Sequence, residues 1–425
     1  MKTEDRKRRL VSGKFVAVLA TFCIPMMIST MAEAIPAFAR MTGAACSKCH
    51  SASFPRLNWT GERFMRNGFQ LPKAAADMET GLGAEEGASD KIETSRLAIP
   101  KDIGQILSVR GKINLYDKDE KGGAHSIGSP GFFAIFASGH LAPNIALWAE
   151  AETSTNSGET EVHNYMVNFT NLFGSSAFNI RAGGFTPTEW TSWSDQKRAM
   201  DSNSTHPGAY RGKHHFTAVG KGKGLGTKTG IEYYGYNDMF LWAIGGGDTG
   251  NNPKSTSTIN DLGNGQNFDK ANPSNDIDYW LVGRFDFMEG SSVSLLYMDY
   301  GDTNDVTSWT ISGNYRASRD LEFVAQYSQD DSGVGNVDDV TGWGVQGVWT
   351  FMPGWTGIAR YDTTDNGFTK DSEENQATVA LAWTPWENTK FTASYVSELD
   401  RAATVNGQPA ADTDDNFALQ LQFAF

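Results

Sequence analysis

The chain has 425 residues, a formal net charge of −14 at pH 7, 45 glycines and three cysteines. This length exceeds that of most single soluble domains but suits one large barrel. The acidic balance argues against a nucleic-acid partner, because phosphate binding requires Lys and Arg, and it favours cations or basic proteins.

The N-terminus has the three parts of a secretory signal peptide. The basic stretch KTEDRKRRLVSGK precedes the apolar run FVAVLATFCIPMMI at 15–28, and AEA at 32–34 offers a cleavage site. We predict a signal peptide over residues 1–34, cleaved after Ala34, with a membrane-anchored N-terminus as the alternative. Because residues 1–34 hold six basic and three acidic residues, the mature chain has a net charge of about −17. Cys23 lies within the signal and has no assigned role.

The motif ACSKCH at 45–50 holds both cysteines of the mature chain. C-x-x-C-H is the spacing of covalent haem attachment, in which two thiols bond the porphyrin and the histidine ligates the iron. We therefore predict one haem c bound by Cys46, Cys49 and His50. A zinc site would need further Cys or His nearby, and a thioredoxin-like pair would need a βαβ context. A simple disulfide is the structural alternative.

The stretch FPRLNWTGERFMRNGFQLP at 54–72 predicts a short helix from Leu57 to Met65, ended by Asn67 and Gly68. Met65 is the predicted distal iron ligand, because a methionine opposite histidine raises the iron potential. The alternatives are an open iron position, a barrel histidine, or the thioether of Met41 or Met78.

Residues 35–92 form the predicted monohaem cytochrome segment, of which 73–92 are a polar linker. A segment of about 58 residues is marginal as an independent core. Covalent haem would add apolar surface, and we expect the segment to lean on the rest of the chain as well.

From about residue 104 the chain alternates apolar and polar residues in segments of about ten, as transmembrane β-barrels do. In the last segment Phe417, Leu419 and Leu421 share one face, whereas Gln420 and Gln422 share the other. The fold class is therefore all-β: an antiparallel barrel over residues 93–425 with about 16 strands. Predicted strands lie at 105–116, 131–141, 145–153, 162–171, 177–186, 214–235, 238–247, 276–287, 291–300, 306–316, 320–329, 341–351, 355–362, 375–384, 389–398 and 416–425.

The connections alternate between short and long. Short ones such as LAPN and MPG fit periplasmic turns, and long ones such as 187–213 and 248–275 fit outer loops. A soluble all-β protein is the alternative. In such a protein the apolar face of each strand would pack on a second sheet. The predicted positions on the other face are largely polar, so the chain offers no such second sheet. Aromatics near strand ends, such as Trp349, Trp355 and Trp383, suggest an interfacial girdle. We predict the bacterial outer membrane as the location.

The pieces PAFAR, CSKCH, FPRLN, G-x-x-F and NGF within 34–72 carry a family likeness. Together with the barrel that follows, this chain resembles the outer-membrane fused monohaem cytochrome c–porins of iron-oxidising bacteria. The resemblance covers the whole mature chain. It implies an electron conduit from extracellular Fe²⁺ or another redox donor to a periplasmic electron carrier, with an Fe(II) oxidase-type activity as an open question. Outward electron transfer and a diffusion porin with an accessory haem segment are the alternatives.

The predicted outer loops are acidic, notably DDSGVGNVDD at 330–339 and DTTDNGFTKDSEEN at 362–375. Carboxylates suit divalent cations, and a negative rim concentrates cations. Ordinary solvated porin loops have the same composition. His206, His214 and His215 form a further candidate metal site in a predicted outer loop.

Overall fold

The computed structural model describes most of the barrel and part of the segment before it. The described residues are 37–42, 44–51, 55–70, 106–119, 124–154, 160–194, 197, 199–200, 228–248, 277–299, 307–330, 339–365, 373–386, 388–400, 404–405, 408–409 and 416–424. The signal peptide, the linker 73–92, Met78, His206, His214, His215 and most of the acidic loop residues lie outside them.

Sixteen long antiparallel strands make up the barrel in the described part of the chain. Each predicted strand has an observed counterpart, with ends that differ by a few residues, except that only the C-terminal part of predicted strand 214–235 is described. In chain order, β1–β16 are Leu107–Asp119, Ser129–Ala142, Ile145–Ser154, Thr160–Phe169, Asn179–Phe185, Lys228–Tyr236, Phe240–Asp248, Ile277–Met288, Ser291–Asp299, Thr307–Arg316, Leu321–Asp330, Val340–Met352, Trp355–Asp365, Glu373–Trp386, Thr389–Asp400 and Asn416–Ala424.

The sheet closes on itself through β1. This strand pairs with β2, where Leu107 lies opposite Ala137, and also with β16, where Arg110 lies opposite Ala424. Every other strand pairs with its neighbours in sequence. Closure pairs both edges of the described barrel sheet, which is a requirement for strands that cross lipid.

The strands alternate between an apolar outer face and an inner face. In β8, Tyr279 and Leu281 point outward and are exposed, whereas Asp278 and Arg284 point inward and are buried. In β14, Val379 and Leu381 are likewise exposed while Thr378 is buried. The outer surface is therefore an apolar band of the kind that faces lipid.

Aromatic side chains gather at the short-turn end of the barrel, as the sequence predicted. The rings of Trp355 and Trp383 stack with centroids 5.6 Å apart, and Phe391 stacks on Trp383 at 5.5 Å. Such a girdle suits the boundary between lipid and water, where aromatic rings concentrate.

Three short helices precede the barrel: α1 Ala37–Thr42, α2 Cys46–Cys49 and α3 Trp59–Arg66. The helix α3 corresponds to the predicted helix and ends where Asn67 and Gly68 were expected to end it. None of the helices among the described residues is long and apolar enough to cross a membrane.

The lumen is not polar all round, which differs from the sequence expectation. Strands β3–β9 contribute a buried apolar surface that includes Tyr234, Leu241, Trp280, Val282 and Leu296. This surface packs against Phe64 and Phe69 of the N-terminal segment and against Trp190. Inward-facing residues are expected to be polar where the lumen is filled with water, whereas this half of the inner wall packs against folded chain.

The connection after β5 begins inside the barrel. Residues 186–194 cross the inner wall, where the backbone N–H of Ser192 donates to the Ser294 hydroxyl at 2.7 Å. Trp193 is fully buried beneath the guanidinium of Arg360, 5.1 Å from the ring centroid. Farther along, Met200 packs on Val348 and Ile358. This connection therefore narrows the lumen together with the N-terminal segment.

The helix α3 ends in a Schellman motif that docks on the short-turn rim. Phe69 N–H donates to the Phe64 carbonyl at 2.8 Å and Gly68 N–H donates to Met65 at 3.1 Å. Gly68 has φ +65°, and a Cβ there would lie 2.5 Å from Cγ2 of Thr170. Both the backbone conformation and the close approach therefore require glycine.

We expect Gly68→Ala to weaken the docking of the N-terminal segment by more than about 2 kcal/mol, because the left-handed backbone alone costs roughly 1–2 kcal/mol and the clash with Thr170 adds to it. The matched control is Gly174→Ala, whose glycine has φ +73° but no atom within 4 Å of the added methyl. Hydrogen exchange of residues 59–70 measures the difference. Equal effects of the two substitutions would show that the approach to Thr170 is not tight.

Candidate functional site: the C-x-x-C-H turn inside the barrel

The two cysteines of the predicted haem motif lie on one helical turn. Cys46 begins α2 and Cys49 ends it, and the backbone N–H of His50 donates to the Cys46 carbonyl at 2.9 Å. Both cysteines are thiols and both side chains are half-buried. Residues three apart face the same side of a helix, so the turn presents the two sulfurs together.

The histidine of the motif is oriented by a backbone carbonyl. Nδ1 of His50 lies 3.1 Å from the Pro55 carbonyl oxygen, which can only accept, so Nδ1 carries the proton. Nε2 of the neutral ring is then the nitrogen with a free lone pair. Burial lowers the pKa of the His50 imidazole below its ordinary value of 6.5, against the opposing effect of the hydrogen bond to Pro55. A neutral imidazole with its other nitrogen held by a carbonyl is the form that ligates metals.

Asn58 joins the motif turn to α3. Its Nδ2 donates to the carbonyls of Lys48 at 3.0 Å and of Ser47 and His50 at 3.3 Å each. Its Oδ1 accepts from the Gly61 N–H at 3.0 Å, which makes Asn58 the N-cap of α3. One side chain therefore satisfies carbonyls of the motif turn and begins the next helix.

A glycine allows α3 to approach the motif turn closely. A Cβ at Gly61 would overlap the carbonyl oxygen of Cys49, and the backbone N–H of Asn58 donates to the same oxygen at 2.9 Å. The motif turn and the start of α3 therefore pack backbone against backbone, and the G-x-x-F sequence has a steric reason at its first position.

The predicted distal ligand lies on α3. Met65 is half-buried and packs against the apolar cluster of the inner wall. Met41 lies in α1, but its side chain is not among those described. His140 of the barrel donates from Nε2 to the Gly68 carbonyl at 3.0 Å. The assignment of Met65 to the iron stays a prediction.

The PAFAR and NGF pieces meet at an aromatic cluster on the barrel wall. The Phe38 ring stacks on Phe69 at 4.9 Å and on Trp148 of β3 at 5.7 Å, and it meets Phe64 edge-on at 5.1 Å. Aromatic pairs in these geometries add about 0.5–1.5 kcal/mol each beyond their buried area. Two motif pieces that are about thirty residues apart are thus held together by the wall.

The same segment contacts the short turns of the barrel. The Asn67 carboxamide oxygen accepts from Tyr236 Oη and from Asn171 Nδ2, both at 2.9 Å. Arg63 pairs with Asp238, and Gln70 donates to the Pro143 carbonyl. The turns at 143–144, 171 and 237–239 are short ones, so the segment is docked at the end of the barrel that the sequence assigns to the periplasm.

A chain of buried ion pairs ties the segment to the wall. The Glu62 carboxylate forms ion pairs with the Arg284 guanidinium at 2.7 Å and with the Lys197 ammonium at 2.9 Å. The Asp286 carboxylate forms ion pairs with Arg284 at 2.8 Å and with Arg66 at 2.6 Å. At the other end, the Glu322 carboxylate lies 3.6 Å from Lys197 Nζ and pairs with Arg56. In spatial order, from one ion pair to the next, the seven residues are Arg66, Asp286, Arg284, Glu62, Lys197, Glu322 and Arg56.

Positive and negative side chains alternate along this series of ion pairs, and the residues come from three parts of the protein. Arg56, Glu62 and Arg66 belong to the N-terminal segment, Lys197 to the connection after β5, and the other three to the barrel wall. Burial alone raises the pKa of the Glu62 carboxyl, but the charges of Arg284, Lys197 and Arg66 outweigh it and hold that pKa below its ordinary value of 4.5. Glu62 is therefore charged at neutral pH.

Sequence reasoning missed these seven charges as a unit. One signal was present: Arg284 and Asp286 lie on the same, inward-facing side of β8 as Asp278, beside the buried Trp280 and Val282. The predicted metal-binding role of the acidic loops and of His206, His214 and His215 falls outside the described residues. In the described residues, no group of three or more His, Cys, Asp or Glu side chains is arranged to hold a metal ion.

Comparisons with known proteins identify the fold. No family model matches the sequence, and no curated protein matches it. The anion-selective porin from Comamonas acidovorans matches 75% of this chain and 99% of its own, with a TM-score of 0.52 and 14% identity. The high-pH structure of Pseudomonas putida OprB matches 75% of this chain and 93% of its own, with a TM-score of 0.50 and 10% identity. At such identities the likeness concerns the fold alone.

The class of protein follows from these observations. The chain has the fold of a bacterial outer-membrane porin, with a closed barrel of 16 strands and an apolar outer band. This confirms the predicted fold class and the predicted outer-membrane location. Within that class, it carries a C-x-x-C-H turn on an N-terminal segment that is docked in the lumen by buried charges.

We expect Glu62→Gln to weaken docking of the N-terminal segment by about 3–5 kcal/mol, because it leaves Arg284 and Lys197 buried with less compensation. Arg63→Gln is the matched control on the same helix. It removes an ion pair with the exposed Asp238, and such surface pairs are worth at most about 1 kcal/mol. Resistance of residues 59–70 to proteolysis in the folded barrel reports the docking.

Acid should separate the same two variants. Since the pKa of Glu62 is lowered in the folded protein, its contribution is fully present above about pH 4.5 and is lost as the pH falls below that value. The wild-type and Arg63→Gln segments should loosen on acidification, and the acid sensitivity of Glu62→Gln should be smaller. Identical acid profiles for all three proteins would contradict the role of Glu62.

Proposed function

We propose that the protein is an outer-membrane electron conduit. It takes electrons from an extracellular donor, with Fe²⁺ as the first candidate, through a covalently bound c-type haem to a periplasmic carrier. The observation that carries this proposal is the C-x-x-C-H turn, which is held in the lumen of a porin-type barrel with its histidine oriented by Pro55. Direct diffusion of a solute would not require such a turn.

The residues at this site fit a covalently bound haem. Two half-buried thiols share one helical turn, and the following His50 has Nε2 available once Nδ1 is bound to Pro55. A haem bound there would supply a one-electron centre, whose potential is set by its axial ligands and by the burial of the site. Met65 is the candidate for the second axial position.

The burial of inner-wall side chains also supports a conduit rather than an open pore. Inward-facing polar side chains of the barrel are shielded from solvent: Thr378, Lys390 and Gln422 are at most 1% exposed. In a wide water-filled channel such side chains would be hydrated. Electrons could then cross while the metal ion stays outside.

The redox balance is simple. Each Fe²⁺ that becomes Fe³⁺ outside gives up one electron, and the periplasmic carrier that accepts it is reduced by one electron. This is an Fe(II) oxidase-type activity in which no iron crosses the membrane. The opposite direction, towards an extracellular acceptor, uses the same site and would require a more negative haem potential.

The purified full-length protein should show a c-type haem spectrum that Fe²⁺ reduces rapidly under anaerobic stopped-flow mixing. Cys46→Ala should reduce covalent haem attachment while the barrel still assembles, and His50→Ala should change the iron spectrum and potential. A barrel-side control, Ser294→Ala, should leave haem attachment unchanged. A folded but colourless wild-type protein would reject the proposal, whereas a coloured protein that only other donors reduce would reject Fe²⁺ as the donor.

A diffusion porin with an accessory haem segment is the second candidate function. The likeness to solved porins favours it, because the 75% of this chain that matches has the fold of that class. Planar-bilayer recordings separate the two functions. Large steady conductance of the wild-type protein would support the porin, and conductance that appears only in the Glu62→Gln variant would support a plugged conduit.

A further inference from the structure

A small cavity lies at the short-turn end of the barrel, between the N-terminal segment and the wall. Its volume is about 50 Å³, and its lining includes Ser51, Arg56, Trp59, Lys197, Arg316 and Glu322. One water needs about 10–15 Å³ by the same measure, so the cavity has room for a few waters or for one carboxylate-sized group.

The cavity contains a buried cation with unused hydrogen-bonding capacity. Arg56 is 1% exposed, and its Nη2 lies against the Glu322 carboxylate. Its Nη1 has no hydrogen-bond partner among the described residues. Buried polar groups are nearly always satisfied, so a donor like this one indicates a missing acceptor. A planar guanidinium is also the side chain best suited to an oxyanion.

Cationic side chains outnumber acidic ones in the lining of the cavity. Four cationic side chains line it, Arg56, Lys197, Arg316 and Arg319, against two acidic ones, Asp320 and Glu322. Arg316 is half-buried, and Arg319 and Asp320 are exposed at the turn between β10 and β11, so the cavity borders the short-turn rim. Two of these cations have carboxylate partners of their own, since Lys197 lies 2.9 Å from Glu62 and Arg316 lies 3.5 Å from Glu289. Among the described residues, the uncompensated donor at the cavity is therefore Arg56 Nη1, and a buried guanidinium donor of this kind favours an oxyanion.

The position of the cavity limits what the anion can be. Ser51, which follows directly on the predicted iron ligand His50, is part of the lining. A carboxylate can therefore come from two sources: a propionate of a haem attached at Cys46 and Cys49, or a free anion that enters from the short-turn side. Both present the same oxygen acceptors to Arg56.

We infer that this cavity is a binding site for a carboxylate or phosphate group, with Arg56 as its buried donor. Glu322 holds the guanidinium in place, and Lys197 and Arg316 are the neighbouring cations of the lining. The haem source of the carboxylate rests on the proposed function, whereas the anion site itself does not.

The test is a calorimetric titration with inorganic phosphate on two full-length proteins in detergent: the haem-loaded wild type and the haem-free Cys46→Ala/Cys49→Ala form. We expect one phosphate to bind the haem-free form and Arg56→Gln to weaken that binding at least tenfold. Arg56→Lys should retain part of the affinity. Arg63→Gln, on the same segment but outside the cavity, should leave it unchanged. Heat-modifiable gel migration confirms that each barrel is folded.

The outcomes separate the two sources. If phosphate binds only the haem-free form, the haem carboxylate occupies the cavity. Arg56→Gln should then also shift the pH dependence of the haem midpoint potential towards higher pH, because the propionate loses its cation. If both forms bind phosphate equally, the ligand is a free anion. No binding to the haem-free form, or equal binding by Arg56→Gln, would overturn the inference. A colourless wild type that binds phosphate would reject the haem while the anion site stands.

Discussion

Buried charge in the lumen is the constraint on which the rest of this structure depends. Charged groups removed from water need partners of opposite sign, since the desolvation penalty is otherwise several kcal/mol per ion. Glu62 can be buried only because Arg284 and Lys197 reach it, and those cations in turn need Asp286 and Glu322. The N-terminal segment, the connection after β5 and the barrel wall are therefore stable in this arrangement together rather than one by one.

The N-terminal segment packs on the barrel wall, which supplies the apolar core that a segment of this length lacks. A segment of this length has too little interior of its own. Here Phe38, Phe64 and Phe69 pack on Trp148 and the apolar half of the lumen, while Asn67 bonds to the short turns. Asn58 connects the motif turn to this docked segment, because its side chain hydrogen-bonds to both the turn and α3. A fixed turn is what a metal-ligating histidine requires, because ligand geometry sets affinity and potential.

The lumen has two chemically different sides. Strands β3–β9 present an apolar surface to the segment, whereas later strands present buried polar groups such as Gln346, Thr378 and Gln422. Porin barrels of 16 strands are wide enough for an aqueous channel. In this chain the N-terminal segment and the connection after β5 occupy part of that width, so the same barrel scaffold holds a site inside it.

The sequence by itself determined the strands, the turns between them, the helix after the motif and the spacing of Cys46, Cys49 and His50. These features are local: alternation repeats every two residues, and Asn67 with Gly68 ends a helix wherever it lies. The apolar half of the lumen, the carbonyl that orients His50 and the partners of Glu62 were decided only by the tertiary structure. Arg284 is 222 residues from Glu62 in sequence, and no short-range pattern records which buried cation meets which carboxylate. Closing the barrel around the segment brings them together, because only the folded lumen removes both from water at the same place.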